Sequence, residues 1–156
     1  MAGSIPFGAE YVPLTTAIEM RDAVLIAVAT ADVLFMAAAV SDFRPASTAE
    51  HKIKKAAGSI EGMTLELERN PDILSAVKGV KERTGFPKIS LGFAAETQDV
   101  LEHGRGKLQR KGLDLIVIND VGAADAGFAV ETNRVLVLRA SGEVEQWPLM
   151  AKSAVA

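Results

Sequence analysis

Three short, mostly apolar runs constrain the fold of this chain more than any other feature of its sequence. They cover Val33–Val40, Lys88–Phe93 and Leu113–Asn119. Runs of this length, bounded by polar or turn-forming residues, are typical of strands buried on both faces of a parallel sheet. The longest of them is too short to cross a bilayer, so we expect no membrane as a partner.

Helical patterns lie between these runs. We predict helices over Thr15–Thr30, from Asn70 to about Arg83, and from Glu96–Thr97 to about Gly112. Thr15 or Thr16 can cap the first helix, and Glu19 follows Thr16 at the spacing of a capping box. In the second helix, Asn70 is predicted as the N-cap residue and Pro71 as the first helical residue.

The alternation of helices and strands predicts the fold class. We expect one α/β domain over residues 1–156, with a Rossmann-like, mostly parallel sheet and helices on both faces. Ser141-Gly142, between two further strand patterns, predicts a C-terminal antiparallel hairpin. Ligands of such sheets bind beyond the C-terminal strand ends, here at Ser41–Arg44, Ala94–Glu96 and Asn119-Asp120.

The composition narrows the classes of function. The 156 residues include 17 Lys and Arg against 20 Asp and Glu, a formal net charge of −3, which argues against nucleic acid as a partner. The absence of cysteine excludes a disulfide scaffold, a thiolate zinc site and a Cys nucleophile. No secretory signal pattern opens the chain, and a cysteine-free protein suits the cytoplasm.

Two basic clusters are candidates for binding an anion. One is in the long polar connection after the first run and the other is near the end of the third helix: Lys52, Lys54 and Lys55, and Lys107, Arg110 and Lys111. Two lysine clusters in an acidic chain can hold a polyphosphate, each ammonium acting as a point charge. The charges alone favour the plainer interpretation, a solvated surface.

Three further segments have both a functional and a structural interpretation. Asp42, directly after a strand, can bind a metal, a ribose or a base, or can simply form a turn. The helix start at Asn70 can bind an anion or can be only a cap. The small residues around Phe93 can admit a planar ligand or can serve tight packing. No dinucleotide fingerprint, P-loop, GxSxG motif or Ser-His-Asp set accompanies them.

Taken together and in order, five segments resemble the phosphopantothenate–cysteine ligase domain of bacterial coenzyme A biosynthesis. They are Ala37–Pro45, Lys52–Lys55, Asn70–Ile73, Gly92–Thr97 and Lys111–Val121. In that family the domain is usually the C-terminal half of a bifunctional protein whose other half is phosphopantothenoylcysteine decarboxylase. The resemblance implies a decarboxylase domain as partner in the full-length protein, and a homodimer.

The resemblance also implies a reaction. The carboxylate of 4′-phosphopantothenate attacks the α-phosphate of CTP, with Mg²⁺, and forms an acyl-cytidylate and pyrophosphate. The amine of cysteine then displaces CMP and forms the amide. The protein would mainly position the substrates and neutralise phosphate charge.

The resemblance assigns roles to particular residues. Lys52 would be the catalytic lysine, and Asp42 would hold the nucleotide or its metal. The remaining nucleotide contacts would be Met36, Ala37 and Ala38 through the backbone, Pro71, Asp72, Ile73 and Leu74 at the base or ribose, Phe93 packed on the nucleotide, and Lys107 and Lys111 at the triphosphate.

One departure from the family affects what we expect of activity. The family opens this domain with a strand and a glycine-rich segment carrying a Ser-Ser-Gly-Lys-type loop and an essential Asn, and residues 1–32 match neither. Both ends of the chain also resemble cut edges. We therefore expect a fragment with weak nucleotide binding and little ligase activity.

Two other functions are compatible with the sequence. One is an NAD(P)- or flavin-binding reductase-like domain, which the missing fingerprint disfavours. The other is a noncatalytic dimerisation fragment, with the apolar hairpin around Val135–Leu138 as its interface or, more simply, as an edge of the core.

Overall fold

The structure is a computed structural model that describes residues 5–53, 62–96, 99–120 and 132–155. Its helices are α1 (Ala17–Val28), α2 (Ile73–Thr84), α3 (Val100–Lys111) and the short α4 (Lys152–Val155). Its strands are β1 (Val33–Met36), β2 (Phe43–Pro45), β3 (Leu67–Arg69), β4 (Ile89–Glu96), β5 (Leu115–Asp120), β6 (Thr132–Asn133), β7 (Val135–Arg139), β8 (Val144–Gln146) and β9 (Met150–Ala151).

The main sheet has the strand order β1-β4-β5-β7-β8. Strands β1, β4 and β5 are parallel, whereas β7 and β8 form an antiparallel hairpin that joins the sheet through β5. This arrangement confirms the predicted α/β fold with its C-terminal hairpin. The register sets Met36 beside Gly92 and Gly92 beside Ile116, so the C-terminal ends of the parallel strands lie together at one edge.

The main sheet is covered by three helices on one face and by a thinner layer of side chains on the other. On the first, α1 and α2 pack over β1 around Val28, Met36 and Val77, and α3 packs over β5 around Ile116 and Ile118. Adjacent residues of a strand point to opposite faces. The other face accordingly buries Val117, Val135 and Val137, with Trp147 and Val155 of α4 packed against them. The expected helices on both faces are thus present, three on one face and α4 on the other.

Strand β1 differs from its prediction. It ends at Met36 rather than Val40, and it is not buried on both faces, because Val33 is 44% exposed and Phe35 is 68% exposed. The physical reason is its place at the edge of the sheet, where β4 is its one neighbour among the described strands. Only the alternate residues Leu34 and Met36 pack against the helices.

Local signals placed the first helix correctly. Thr16 is the N-cap of α1, where its side chain accepts from the Glu19 amide at 3.1 Å and the Glu19 carboxylate accepts from the Thr16 amide at 3.0 Å. The backbone N–H groups of Thr15 and Thr16 lower the pKa of the Glu19 carboxyl. This is the predicted capping box.

None of the helices in the described ranges is long and apolar enough to cross a membrane.

The starts of the other two helices were predicted wrongly. Asp72, not Asn70, is the N-cap of α2, and its side chain accepts from the Ser75 amide at 3.1 Å. Glu96 ends β4 instead of opening α3, because the β4–β5 ladder pairs Glu96 with Asp120. Helix α3 therefore begins at Val100. Both helices end at glycines with positive φ, Gly85 and Gly112, close to the predicted ends.

Candidate functional site

A cleft of about 350 Å³ opens at the C-terminal edge of the parallel strands. This volume lies at the lower end of the range of small-molecule sites. Its lining comes from the end of β1, the segment before β2, the start of α2, strand β4, helix α3 and the start of β5: Met36, Ala38, Val40, Ser41, Asp42, Asn70, Pro71, Asp72, Ile73, Leu74, Phe93, Lys107, Lys111, Leu113 and Ile116.

Asn70 ties two walls of this cleft together. Its side-chain Nδ2 donates to the Ser41 carbonyl at 2.8 Å, and its amide donates to the Asp42 carbonyl at 2.8 Å. Arg44 donates to Asn70 Oδ1 at 3.2 Å and to the Arg69 carbonyl at 2.7 Å. Asn70, which was predicted as a helix cap, therefore holds Asp42 next to the start of α2 through these hydrogen bonds.

Two lysines of α3 approach the cleft, and each is paired with a carboxylate from another element. Lys107 and Lys111 are one helical turn apart on the same face of α3. Lys107 Nζ lies 2.6 Å from Glu96 Oε1, and Lys111 Nζ contacts Asp72 Oδ2. Burial lowers the pKa of the Lys111 ammonium, and the negative charge of Asp42 opposes that shift. The lysines are therefore presented to the cleft as members of ion pairs.

The two ion pairs differ in the exposure of their members. Asp72 is 46% exposed on its side chain, so a ligand phosphate can compete with it for Lys111. Lys107 is 40% exposed, whereas its partner Glu96 is only 13% exposed. A bound phosphate would meet two ammonium groups from one rigid helix.

The structure brings together most of the residues that the family resemblance singled out. All of the expected nucleotide contacts line the cleft except Ala37, namely Met36, Ala38, Asp42, Pro71, Asp72, Ile73, Leu74, Phe93, Lys107 and Lys111. Lys52 is exposed in the connection after β2 and is not one of the lining residues. Its neighbours Lys54 and Lys55 lie outside the described residues.

Sequence reasoning missed part of the cleft wall. Val40, Leu113 and Ile116 line it, although the sequence marked them only as strand residues, whereas Ser41 belongs to the predicted ligand position Ser41–Arg44. The two other predicted ligand positions, Ala94–Glu96 and Asn119-Asp120, differ in their relation to the cleft. Glu96 flanks the cleft through Lys107, whereas Asn119 donates to Asn133 Oδ1 at 3.2 Å and does not line it.

The glycines near the site serve packing. A Cβ at Gly92 would lie 2.7 Å from Leu113 Cδ1, and a Cβ at Gly104 would lie 2.2 Å from Ile118 Cδ1. The small residue before Phe93 therefore admits a neighbouring side chain, as the plainer interpretation expected. Gly104 lets α3 lie directly on β5.

The predicted hairpin interface is not available on the surface. Val135, Val137 and Leu138 are all buried in the core of the described chain. The alternative of a dimerisation fragment loses its proposed interface, since these side chains already have partners within one molecule.

Comparisons with known proteins identify a family model and relatives that match this chain. The family model described as DNA/pantothenate metabolism flavoprotein C-terminal domain matches residues 2–156. The chain is 45% identical over 144 residues to the coenzyme A biosynthesis bifunctional protein CoaBC of Bacillus subtilis (strain 168), covering 92% of this chain and 34% of that protein. It is 38% identical over 151 residues to the protein of the same name from Vibrio cholerae serotype O1, covering 97% and 37%.

A solved structure shares the fold. The crystal structure of the C-terminal domain of the coenzyme A biosynthesis bifunctional protein CoaBC superposes with a TM-score of 0.73 at 33% identity, covering 99% of this chain and 66% of that one. The chain spans about a third of the length of the curated relatives it matches. These matches confirm the family resemblance found in the sequence. The chain belongs to the family of the DNA/pantothenate metabolism flavoprotein C-terminal domain.

Proposed function

We propose that this chain is a phosphopantothenate–cysteine ligase domain that binds CTP in the cleft at the C-terminal strand ends. The observation that carries the proposal is the convergence of Lys107 and Lys111 with Asp72 and Phe93 around one cleft. The relatives named for coenzyme A biosynthesis support it. The proposal includes a cytoplasmic location, a fused decarboxylase domain in the full-length protein and a homodimer.

The chemistry explains why the cleft would need cations. A carboxylate is a poor electrophile, so 4′-phosphopantothenate must first be activated. Its carboxylate oxygen attacks the α-phosphorus of CTP, the bond to pyrophosphate breaks, and an acyl-cytidylate forms. The amine of cysteine then attacks the acyl carbon, CMP leaves and the amine loses a proton. Lys107 and Lys111 would neutralise the triphosphate, and Lys52 would stabilise charge on the acyl-phosphate.

The residues present suit a magnesium ion carried by the nucleotide. Asp42 lines the cleft and forms no ion pair with another described residue, whereas Asp72 is engaged by Lys111. Protein sites usually hold Mg²⁺ through one or two carboxylates together with substrate phosphates. The described ranges contain no group of three acidic or histidine side chains that could hold a metal alone. When bound, the ion would supply further neutralisation of phosphate charge.

Titration of CTP into the labelled protein, followed by NMR, tests the proposal and tolerates weak binding. We expect CTP to shift the resonances of cleft residues, with NADP causing no comparable change. Lys107→Met and Lys111→Met should each weaken CTP binding about tenfold, the loss of one charge-assisted contact. Lys88→Met is the matched control, because Lys88 is exposed and pairs with Asp32 away from the cleft.

Turnover provides the second measurement. Pyrophosphate release from CTP that requires 4′-phosphopantothenate would establish the first half-reaction, and amide formation with cysteine the second. Absence of any CTP-dependent shift in the cleft would refute the proposal. Equal weakening by Lys88→Met would show that the lysines act only through the net charge of the protein.

A further inference from the structure

We infer that Glu96 is a positioning residue that holds the Lys107 ammonium at the nucleotide cleft. Glu96 does not line the cleft, so it would act only through the lysine. The inference rests on the proposed function of the cleft, because it concerns how that cleft presents one of its two cations. It gives a specific role to a residue that the sequence marked as the start of a helix and as part of the ligand position Ala94–Glu96.

Glu96 is well suited to hold another side chain in place. It is the last residue of β4, where the ladder to β5 immobilises its backbone, and its side chain is only 13% exposed. Oε1 lies 2.6 Å from Lys107 Nζ, and Oε2 lies 3.3 Å from His103 Nδ1. Burial tends to raise the pKa of Glu96, but Lys107 and then His103 outweigh it and keep that pKa below its ordinary value. The carboxylate is therefore ionised at neutral pH.

Lys107 has a physical need for such a partner. Lys107 and Lys111 lie one turn apart along α3, and like charges at that spacing repel. Lys111 is held by Asp72 from the start of α2. Without Glu96, Lys107 would be free to turn away from Lys111 and from the cleft. Ordering a free lysine on binding forfeits part of the affinity, because its long side chain has many rotamers.

The sign of the effect separates positioning from simple electrostatics. Replacing Glu96 by Gln removes a negative charge beside an anion site. If only the local potential mattered, the variant would bind a triphosphate more tightly. If Glu96 also competed with the phosphate for Lys107, the variant would again bind more tightly. Positioning predicts weaker binding, so the two explanations give opposite results.

The test measures CTP dissociation constants by NMR titration for four single variants. We expect Glu96→Gln to bind CTP about fivefold to tenfold more weakly, a part of the roughly thirtyfold that complete freedom of one lysine would cost. Glu96→Asp keeps the charge and should recover most of the affinity. His103→Ala leaves the pair to Lys107 intact and should change affinity less than twofold. Glu102→Gln, exposed on the same helix, is the matched charge control.

A double variant shows whether the effect passes through the lysine. In a Lys107→Met background, Glu96→Gln should cause no further weakening, whereas a general structural role would weaken binding again. Unchanged or tighter CTP binding by Glu96→Gln would overturn the inference, and so would additive losses in the double variant. Failure of the unmutated protein to bind CTP would overturn the proposed function instead, so the two failures are distinguishable.

Discussion

Two glycines of α3 allow the packing of this helix to be tested with a matched pair of substitutions. Gly104 faces β5, where an added Cβ would lie 2.2 Å from Cδ1 of Ile118, a fully buried side chain. Gly106 lies two residues later, where an added Cβ would meet only the guanidinium of Arg110, 2.9 Å away. The same chemical change therefore enters a packed core at one position and the end of a flexible side chain at the other.

The expected magnitudes follow from two opposing contributions. Alanine is favoured over glycine within a helix by about 1 kcal/mol, and both variants gain this. Carbon atoms in contact lie about 3.5–4.0 Å apart, so the methyl at position 104 must displace Ile118 or the helix. Such overpacking costs about 1–3 kcal/mol, and this overlap is deep. We expect Gly104→Ala to lower the free energy of unfolding by about 2 kcal/mol and Gly106→Ala to raise it by up to about 1 kcal/mol.

Urea denaturation followed by circular dichroism measures the free energy of unfolding of both variants. The slope of that free energy against urea concentration should be the same for the variants and the unmutated protein. CTP titration of the same variants adds a second readout. Displacement of α3 from β5 would carry Lys107 and Lys111 with it, so Gly104→Ala should also bind CTP more weakly. If Gly104→Ala is as stable as Gly106→Ala, the close approach of α3 to β5 is not what requires glycine at position 104.

Two further predictions concern a half-buried, hydrogen-bonded carboxylate and the cleft aromatic ring. Asp114 Oδ2 accepts from the Ser90 amide at 2.6 Å, from the Ser90 hydroxyl at 2.9 Å and from Lys81 at 2.5 Å. Because Asp114→Ala removes all three bonds, we expect it to lower the free energy of unfolding by about 3 kcal/mol. Asp32→Ala, which breaks an exposed ion pair, should lower it by less than about 1 kcal/mol. Burial would raise the pKa of Asp114, but its bonds to Lys81 and Ser90 lower it. The stabilisation is therefore present above the unfolded-state pKa of about 4 and is lost as the pH falls through the lower folded-state value, a loss that Asp114→Asn should flatten in acid denaturation curves. Phe93→Ala should weaken CTP binding about tenfold, since it removes a ring that lines the cleft. It should cost little stability, because Phe93 is 44% exposed. Phe35→Ala, outside the cleft lining, should leave CTP binding unchanged.

The predictions that succeeded relied on interactions between neighbours in the chain. The capping box of Thr16 and Glu19 spans three residues, and the glycines that end α2 and α3 act through their own backbone angles. The apolar runs that became β4 and β5 needed only their composition. Each of these signals operates within a few residues, so the order of the strands does not alter it.

The predictions that failed depended on distant partners. Asn70 has the side chain of a helix cap, yet it bonds to Ser41 and Asp42, and the cap passes to Asp72. Glu96 carries a helix-start pattern, yet pairing with β5 keeps it in a strand. In both cases a contact across the fold outweighed a local preference that is worth only about 1 kcal/mol.

Local sequence patterns are enough to predict most of the helices and main strands of this protein and, through its motifs, the family to which it belongs. Which charged side chains meet depends on the tertiary structure. Lys107 and Lys111 are visible in the sequence as a basic pair, but their partners Glu96 and Asp72 come from β4 and from the start of α2. Coulomb attraction depends on distance in space, and that distance is set by the order and register of the strands rather than by separation along the chain.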